Sequence, residues 1–471
     1  MNKPAPRRAS PADDDPDTAD REGGPDAIRS TLGGGIDPPS LDGKAFGAES
    51  NADEAETDER ATGRAHAAPR PVAIPSRARL AIILAALAML GPFSIDTYLP
   101  AFPEIERSLD ASAIQVQQTM TAYLLAFAVM ILWHGALSDA LGRRIVILVS
   151  LAVFVVASFG CASAHSIQYL WAFRILQGLS AGAGIVVGRA IVRDLYAGPE
   201  AEKLLSLVTM IFAIAPAIAP ILGGWIVEAF DWRTIFLCLF VYSFLLLWAS
   251  FRLLPETLPV GQRQPFNAES LWKSYKSVFG TVRFYAYAGT IAFNFVGLFI
   301  YVAAAPAFII QHLHLSQREF GWFFIPSVAG IFLGALLANR SAGRWKIGRQ
   351  VRTGFYLMGG ASLANLAYHV FLPAAVPWSV LPVFFYTIGM SITAPGVTLM
   401  VLDLFPTHRG VAASCQSFLQ TMLGAVAAGV VAPLLATSAL WLAIGQATSV
   451  ALALVAWRIG RSRTLAGPRS V

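Results

Sequence analysis

From Leu80 to Arg458 the chain alternates between apolar runs of about 20 residues and short polar breaks. Runs of that length cross a hydrocarbon core of ~30 Å as helices, because in lipid each segment must satisfy its own backbone N–H and C=O groups. The pattern predicts twelve membrane helices. The first six run roughly 79–101, 113–137, 144–163, 168–193, 203–225 and 233–254. The second six run roughly 284–309, 320–340, 352–371, 378–400, 409–434 and 440–458. The longest polar break, Pro255 to Arg283, falls between the two sets. Six spans on each side of it suggest two related halves, as in membrane proteins built from repeats. The expected architecture is an all-α membrane protein with a tail at 1–76, halves at 77–254 and 284–458, a linker at 255–283 and a basic tail at 459–471.

Composition agrees with that pattern. The chain is 55% hydrophobic and 14% charged, against about 25% charged for a soluble domain, so it lacks the polar groups to cover a water-facing surface. Its charges sit in the breaks. Arg77, Arg79, Arg143, Arg144, Arg193, Lys203, Arg263, Lys273, Lys276, Arg283, Arg340, Arg344, Lys346, Arg349, Arg352, Arg409, Arg458, Arg461 and Arg463 fall on one side. The opposite breaks offer little beyond Arg107, Arg233 and Arg318, accompanied by Glu104, Glu106, Asp110, Glu228 and Asp231. By the positive-inside rule both termini and the linker are cytoplasmic. The net charge of +6 therefore orients the chain and does not mark nucleic-acid binding, since no basic stripe interleaves with aromatics.

The leader up to about Ser76 is rich in Pro, Gly, Ala and acids (Asp13 to Asp15, Glu54 to Glu59). Such a stretch cannot bury enough apolar area to offset its ordering entropy, so disorder is expected. It is not a signal peptide, because the first apolar run comes too late and is too long. Cys161, Cys238 and Cys415 lie far apart inside apolar runs and read as packing residues. His312 and His314 lack partners for a metal site, and no metal or organic cofactor is expected. There is no H-E-x-x-H, G-x-S-x-G, P-loop or acidic metal cluster, which argues against an enzyme and against ATP-driven transport.

Polar residues inside the spans carry the candidate chemistry. A charge at mid-helix costs about 2.5–3.5 kcal/mol on insertion scales, so it faces the bundle interior or water. Asp96, within Gly91-Pro-Phe-Ser-Ile-Asp96-Thr-Tyr98-Leu-Pro100, is the only acid well inside a span of the first half. A carboxyl group there can take a proton on one side of the membrane and lose it on the other, or simply orient a Pro-broken helix end. Arg174, in Arg174-Ile-Leu-Gln177-Gly178, is its basic counterpart, with an equal claim to a purely structural role. Gly178/Gly182 and Gly184/Gly188, each pair four apart, allow a partner helix to approach closely. The fifth span holds Pro216, Pro220, Gly223 and Gly224, a kinked and closely packing helix. The turn after the second span reads Gly135-Ala-Leu-Ser-Asp139-Ala-Leu-Gly142-Arg143-Arg144, where glycines permit a tight turn and Asp139 and the arginines can contact helix ends. A pocket for varied ligands wants aromatic surface with a few polar handles, and Tyr98, Tyr123, Gln177, Asn294, Tyr301, Tyr386, Gln416 and Gln420 are the candidates.

These motifs resemble the major facilitator superfamily. The resemblance implies that the Gly135–Arg144 turn latches the outward-open state by bridging the halves, and that Arg174 serves proton coupling. It also implies that Ala215 to Gly224 is the motif separating exporters from uptake carriers, here with alanines at its first two glycine positions. Asp96-Thr-Tyr98-Leu-Pro100-Ala-Phe-Pro103, Gln118-Thr-Met-Thr-Ala-Tyr123, Arg189-Ala-Ile-Val-Arg193-Asp194 and Pro255-Glu256-Thr257 narrow the likeness to the Bcr/CflA drug-resistance subfamily. Members of that subfamily export bicyclomycin, chloramphenicol-type drugs and sulfonamides by proton antiport. There are departures: Ala140 and Ile145 in the turn, a degenerate second-half turn at Gly343–Arg349, and Ala88 and Met89 where some relatives carry a second acid. The resemblance implies a proton-driven exporter of small hydrophobic or amphipathic molecules in a bacterial inner membrane, acting as a monomer. The alternative on the same fold is a metabolite or nutrient porter.

Overall fold

The structure, a computed structural model, describes residues 76–465. The acidic leader and the end of the basic tail lie outside the described residues.

The first span comprises α1 (Arg77–Asp96), a 3-10 turn (Leu99–Ala101) and α2 (Phe102–Ser108). Prolines at 100 and 103 cause that break, since each lacks a backbone donor. Next come α3 (Ala113–Leu141) and α4 (Arg143–Ala162). The fourth span divides into α5 (Ile167–Ala181) and α6 (Ala183–Leu195), and the fifth into α7 (Gly198–Phe212) and α8 (Ala215–Ala229). The first half ends with α9 (Arg233–Leu253). Within the linker lies the 12-residue α10 (Ala268–Phe279), capped by Asn267.

The second half contains α11 (Val282–Ala303), a π-helical turn (Ala307–His312), a 3-10 turn (Gln317–Phe320), α12 (Gly321–Ser341), α13 (Ile347–Phe371) and α14 (Leu381–Asp403). Then follow α15 (Arg409–Val426), a π segment (Ala427–Val431), α16 (Ala432–Leu435) and α17 (Ala439–Leu465). The last helix runs past residue 458, where a separate tail was expected.

Among the described residues, 11 helical segments are long and apolar enough to cross a membrane. The twelfth expected span, α13, has 25 residues, about 37 Å at 1.5 Å per residue, so its length suffices. Gly354, Gly359, Gly360, Ser362 and Asn365 dilute its apolar character. That dilution reflects position: α13 packs against both α14 and α17. Gly354 and Gly389 let α13 and α14 meet backbone to backbone, and a Cβ on Gly354 would stand 2.6 Å from the Gly389 carbonyl oxygen. In the first half a Cβ on Gly184 would stand 2.3 Å from the Leu87 carbonyl, and one on Gly178 2.2 Å from that of Tyr123. In lipid, where apolar contact between helices gains little over contact with acyl chains, such close packing is what holds spans together.

Exposed Trp225, Phe244, Trp248, Phe332, Leu363, Phe385 and Trp441 are distributed over the outside of the bundle, as a surface solvated by lipid requires. Within the first half, α3 packs on α5, α4 on α9, and α1 on α6, α7 and α8; within the second, α11 packs on α17 and α12 on α14. Two seams join the halves: α3 runs along α15, and α8 packs on α12 and its preceding 3-10 turn.

Candidate functional site

Between the halves lies a chamber of about 380 Å³. Its walls include Phe127 and Phe212 of the first half and Phe295, Phe299, Phe323 and Phe324 of the second. Against this apolar surface stand four polar side chains, Asp96, Ser327, Gln420 and Thr421. Asp96 ends α1, where the helix gives way to the Pro-rich 3-10 turn. Among the described residues no ion pair or hydrogen bond engages its carboxyl group, and Asp96 is 7% exposed. It is thus an unpaired acid at the edge of an aromatic chamber.

Arg174 lies behind that wall, fully buried. Its Nη1 donates to the Ser94 carbonyl at 3.0 Å, to Ser94 Oγ at 2.8 Å and to Gln177 Oε1 at 2.8 Å. The guanidinium lies 4.8 Å from the Tyr98 ring centroid and 4.4 Å from that of Tyr123. Aromatic faces stabilise a desolvated cation where hydrogen bonds fall short, and here Arg174 Nε and Nη2 have no hydrogen-bond partner. Gln177 continues the network through Nε2 to Ser158 Oγ at 2.9 Å. The cluster ties the first, second, third and fourth spans together, and the arginine holds the chain two residues before Asp96.

Of the eight residues expected around a ligand, three line hollows: Gln420 in the chamber, and Asn294, Gln416 and Gln420 in a neighbouring space. The other five do not. Tyr98, Tyr123, Gln177, Tyr301 and Tyr386 are fully buried inside their own halves. Each hydroxyl is consumed by a neighbour: Tyr123 donates to the Gly91 carbonyl at 3.4 Å and Tyr386 to the Asn294 carbonyl at 2.7 Å, while Tyr301 accepts from Asn365 Nδ2 at 2.8 Å. Tyr98 bonds to Thr119. A polar residue inside a span must satisfy itself somewhere, and these do so between helices of one half.

The fifth span is built for contact. A Cβ on Gly223 would stand 1.9 Å from the Thr97 carbonyl oxygen, next to Asp96, and one on Gly224 2.0 Å from that of Gln317 in the other half. Ala215 and Ala219, at the two positions where the motif more often has glycine, are fully buried. Pro216 lines the chamber and Pro220 is buried within α8. This helix is wedged between the first span and the opposite half.

At the basic end, Gly142 terminates α3 at φ +106°, a conformation glycine accepts without strain. Glu256 then caps α4: its carboxylate accepts from Arg143 N at 2.9 Å and Arg144 N at 3.2 Å. A carboxylate at a helix N-terminus meets both unsatisfied donors and the positive end of the helix dipole. The Arg143 side chain pairs with Asp139 and, through Nε at 3.0 Å, with Asp194 at the end of α6. Its Nη1 reaches Ser138 Oγ at 2.7 Å, and Thr257 donates to Asp194 at 2.8 Å. Arg144 Nη2 donates to the Phe251 carbonyl at 2.6 Å. Asp194 thus joins the end of α6 to this network. All of these partners belong to the first half or its exit, so in this conformation the turn does not bridge the halves. Among the described residues the corresponding turn of the second half has no carboxylate partner, and Arg349 lies over Trp345 at 4.8 Å.

At the opposite end the halves are clamped by Gln117, which sequence reasoning passed over, and Gln118, which it marked only through the subfamily likeness. Gln117 Nε2 donates to the carbonyls of Ala303 at 3.0 Å and Ala428 at 3.1 Å, and Gln118 Nε2 to that of Gly429 at 2.9 Å. Ala428 and Gly429 lie in the π segment Ala427–Val431, and Ala303 ends α11, whose last carbonyls have no helical partner; π-bulges frequently occur at functional sites. The available signal was the pair of glutamines starting an otherwise apolar span.

A family model described as Major Facilitator Superfamily matches residues 84–429. The chain is 40% identical over 270 residues to the uncharacterized MFS-type transporter YdgK of Bacillus subtilis, covering 57% of this chain and 67% of the relative. It is 31% identical over 259 residues to the bicyclomycin resistance protein homolog of Haemophilus influenzae, covering 55% of this chain and 65% of the relative. These alignments span about two-thirds of each relative's length. The D-xylose-proton symporter structure superposes with a TM-score of 0.64 at 14% identity, over 81% of this chain and 97% of that one, a likeness of fold alone. Two helical halves joined along α3–α15 and α8–α12, the motifs at Gly135–Arg144 and Ala215–Gly224, and the family match lead to one conclusion: the chain belongs to the Major Facilitator Superfamily of membrane transporters, of the Bcr/CflA type.

Proposed function

We propose that this transporter exports small hydrophobic or amphipathic molecules from a bacterial cytoplasm in exchange for protons, with Asp96 as the proton carrier. The observation that carries the reading is the unpaired Asp96 carboxyl group at the edge of the aromatic chamber. A carboxylate in such a chamber is costly unless paired or protonated, so its charge state couples to which face the chamber opens toward. With both termini and the linker cytoplasmic, the clamp of Gln117 and Gln118 closes the outer face in this conformation. A proton entering from outside neutralises Asp96 and releases cargo; deprotonation toward the cytoplasm resets the carrier. The membrane potential supplies about 2.3 kcal/mol per charge per 100 mV, enough to bias the exchange. Arg174 acts as a positioning residue, holding Ser94 and with it the helix end that presents Asp96. The exporter motif around Pro216 and Pro220, and the drug-resistance name of a relative, support export over uptake.

The test is transport by purified protein in liposomes and drug resistance in a pump-deleted host. Asp96→Asn should abolish gradient-driven transport while leaving the protein folded and inserted. Undiminished transport by Asp96→Asn at equal protein level would overturn the carrier role. Accumulation in inside-out vesicles driven by an acidic lumen separates export from uptake.

A further inference from the structure

Beside the central chamber, within the second half, lies a separate hollow of about 190 Å³, room for roughly six waters at ~30 Å³ each. Asn294 of α11, Ser391 and Thr398 of α14, and Gln416 and Gln420 of α15 line it. None of its lining residues is charged. Phe295 and Gln420 line both spaces, so the hollow and the chamber adjoin there.

The polar groups of this hollow are incompletely satisfied. Asn294 is 2% exposed and its Oδ1 has no hydrogen-bond partner. Gln416 is 9% exposed; its Nε2 donates to Thr398 Oγ1 at 3.2 Å, yet its Oε1 is buried and unpartnered. Asn294 is held in place through its backbone, whose carbonyl accepts the Tyr386 hydroxyl at 2.7 Å. Buried acceptors without donors are uncommon and call for an explanation. Two residues of one lining thus carry buried oxygens in want of N–H or O–H donors, and the lack of any charged partner disfavours an ionic group, whose desolvation would go unrepaid.

We propose that this hollow docks the uncharged, hydrogen-bond-donating end of a substrate, through hydroxyl or amide groups, while the apolar body of the substrate rests in the aromatic chamber. This inference builds on the transport reading above and adds the place where the polar end of a substrate is held. Neutral molecules with donors at one end use the Asn294–Gln416 hollow, whereas a lipophilic cation without donors occupies the chamber alone.

Equilibrium binding to the purified full chain in detergent, with no gradient, tests this. The probes are chloramphenicol, a neutral aromatic molecule bearing hydroxyls and an amide N–H, and tetraphenylphosphonium, a lipophilic cation with no donor. Asn294→Leu and Gln416→Leu remove the acceptors, and Ala394→Leu fills the hollow from a half-buried lining position. Each should raise the chloramphenicol Kd tenfold or more and shift tetraphenylphosphonium less than twofold. Equal losses for both probes in Ala394→Leu, or unchanged chloramphenicol affinity in variants that still bind tetraphenylphosphonium, would overturn the subsite and assign the hollow to water. A wild type that binds tetraphenylphosphonium alone overturns the subsite and leaves the export reading standing. A wild type that binds neither overturns both.

Discussion

Gly142 and Gly223 are constrained for different reasons, and substitution should separate them. At Gly142 a side chain meets both an adverse φ and the Glu256 carboxylate, with Cβ 2.5 Å from Oε2. A positive φ with an extended ψ, a conformation open in practice to glycine alone, costs a side-chain-bearing residue about 1–3 kcal/mol, so Gly142→Ala should lower the thermal unfolding midpoint of purified protein by several degrees. At Gly223 the backbone conformation is ordinary, but the obstacle is the Thr97 carbonyl, which cannot swing aside. Gly223→Ala should therefore displace α8 from the first span beside Asp96, and its signature should be lost transport at near-normal membrane insertion. Both glycines stand out in the sequence as parts of motifs. What the letters could not say is which backbone atom each one meets, because that atom lies far away along the chain.

Elements carry the second set of expectations. The N-terminus of α4 is held by Glu256 and by the Arg143 pairs with Asp139 and Asp194. Removing Arg143 strands two carboxylates in a partly buried site; hydrogen bonds to charged groups contribute about 1.5–3 kcal/mol each. Arg143→Ala should destabilise the first half clearly in a melting assay, and Arg143→Lys should recover little, since one ammonium cannot reproduce the guanidinium fork. By contrast the Arg318–Glu228 pair at the opposite end is exposed on both sides and worth ~0–1 kcal/mol. Glu228→Gln should leave the melting temperature nearly unchanged. The paired glutamines on α3 matter more for the closed end. Gln118→Ala should shift the population toward the state open there, read as faster labelling of a cysteine placed at Val302 in a Cys238→Ser background. That background is needed because Cys238 is exposed, whereas Cys161 and Cys415 are buried; the sequence had suggested packing roles for all three.

For the whole molecule, the two seams and the chamber they enclose carry the proposed function. Twelve spans, their order and the division into halves were legible because lipid forces every crossing segment to be long and apolar, which writes itself into the sequence. Even α13, the least apolar span, was found from its length and from the polar breaks around it. The positions of Asp96, Arg174 and the glycine motifs were legible as well, since a charge or a repeated small residue inside an apolar run is rare. The lining of the chamber was not. Four tyrosines and Gln177 looked like pocket residues because they are amphipathic and lie inside spans, and they pack between helices of their own halves instead. The six phenylalanines of the chamber, in turn, looked no different from lipid-facing ones.

The sequence by itself determined the helical class, the approximate place of each span, the distribution of basic loops and the presence of one acid in the first half's interior. Those features follow from local rules: segment length, hydropathy and the cost of a charge in hydrocarbon. Only the tertiary structure decided that Arg174 stacks on Tyr98 and Tyr123, that Glu256 caps α4, that Gln117 and Gln118 clamp a π segment and that Asn294 faces a hollow beside the chamber. Each of these depends on which side of a helix meets which neighbour. An apolar solvent on one side and an apolar partner on the other leave no difference in residue type to reveal that choice.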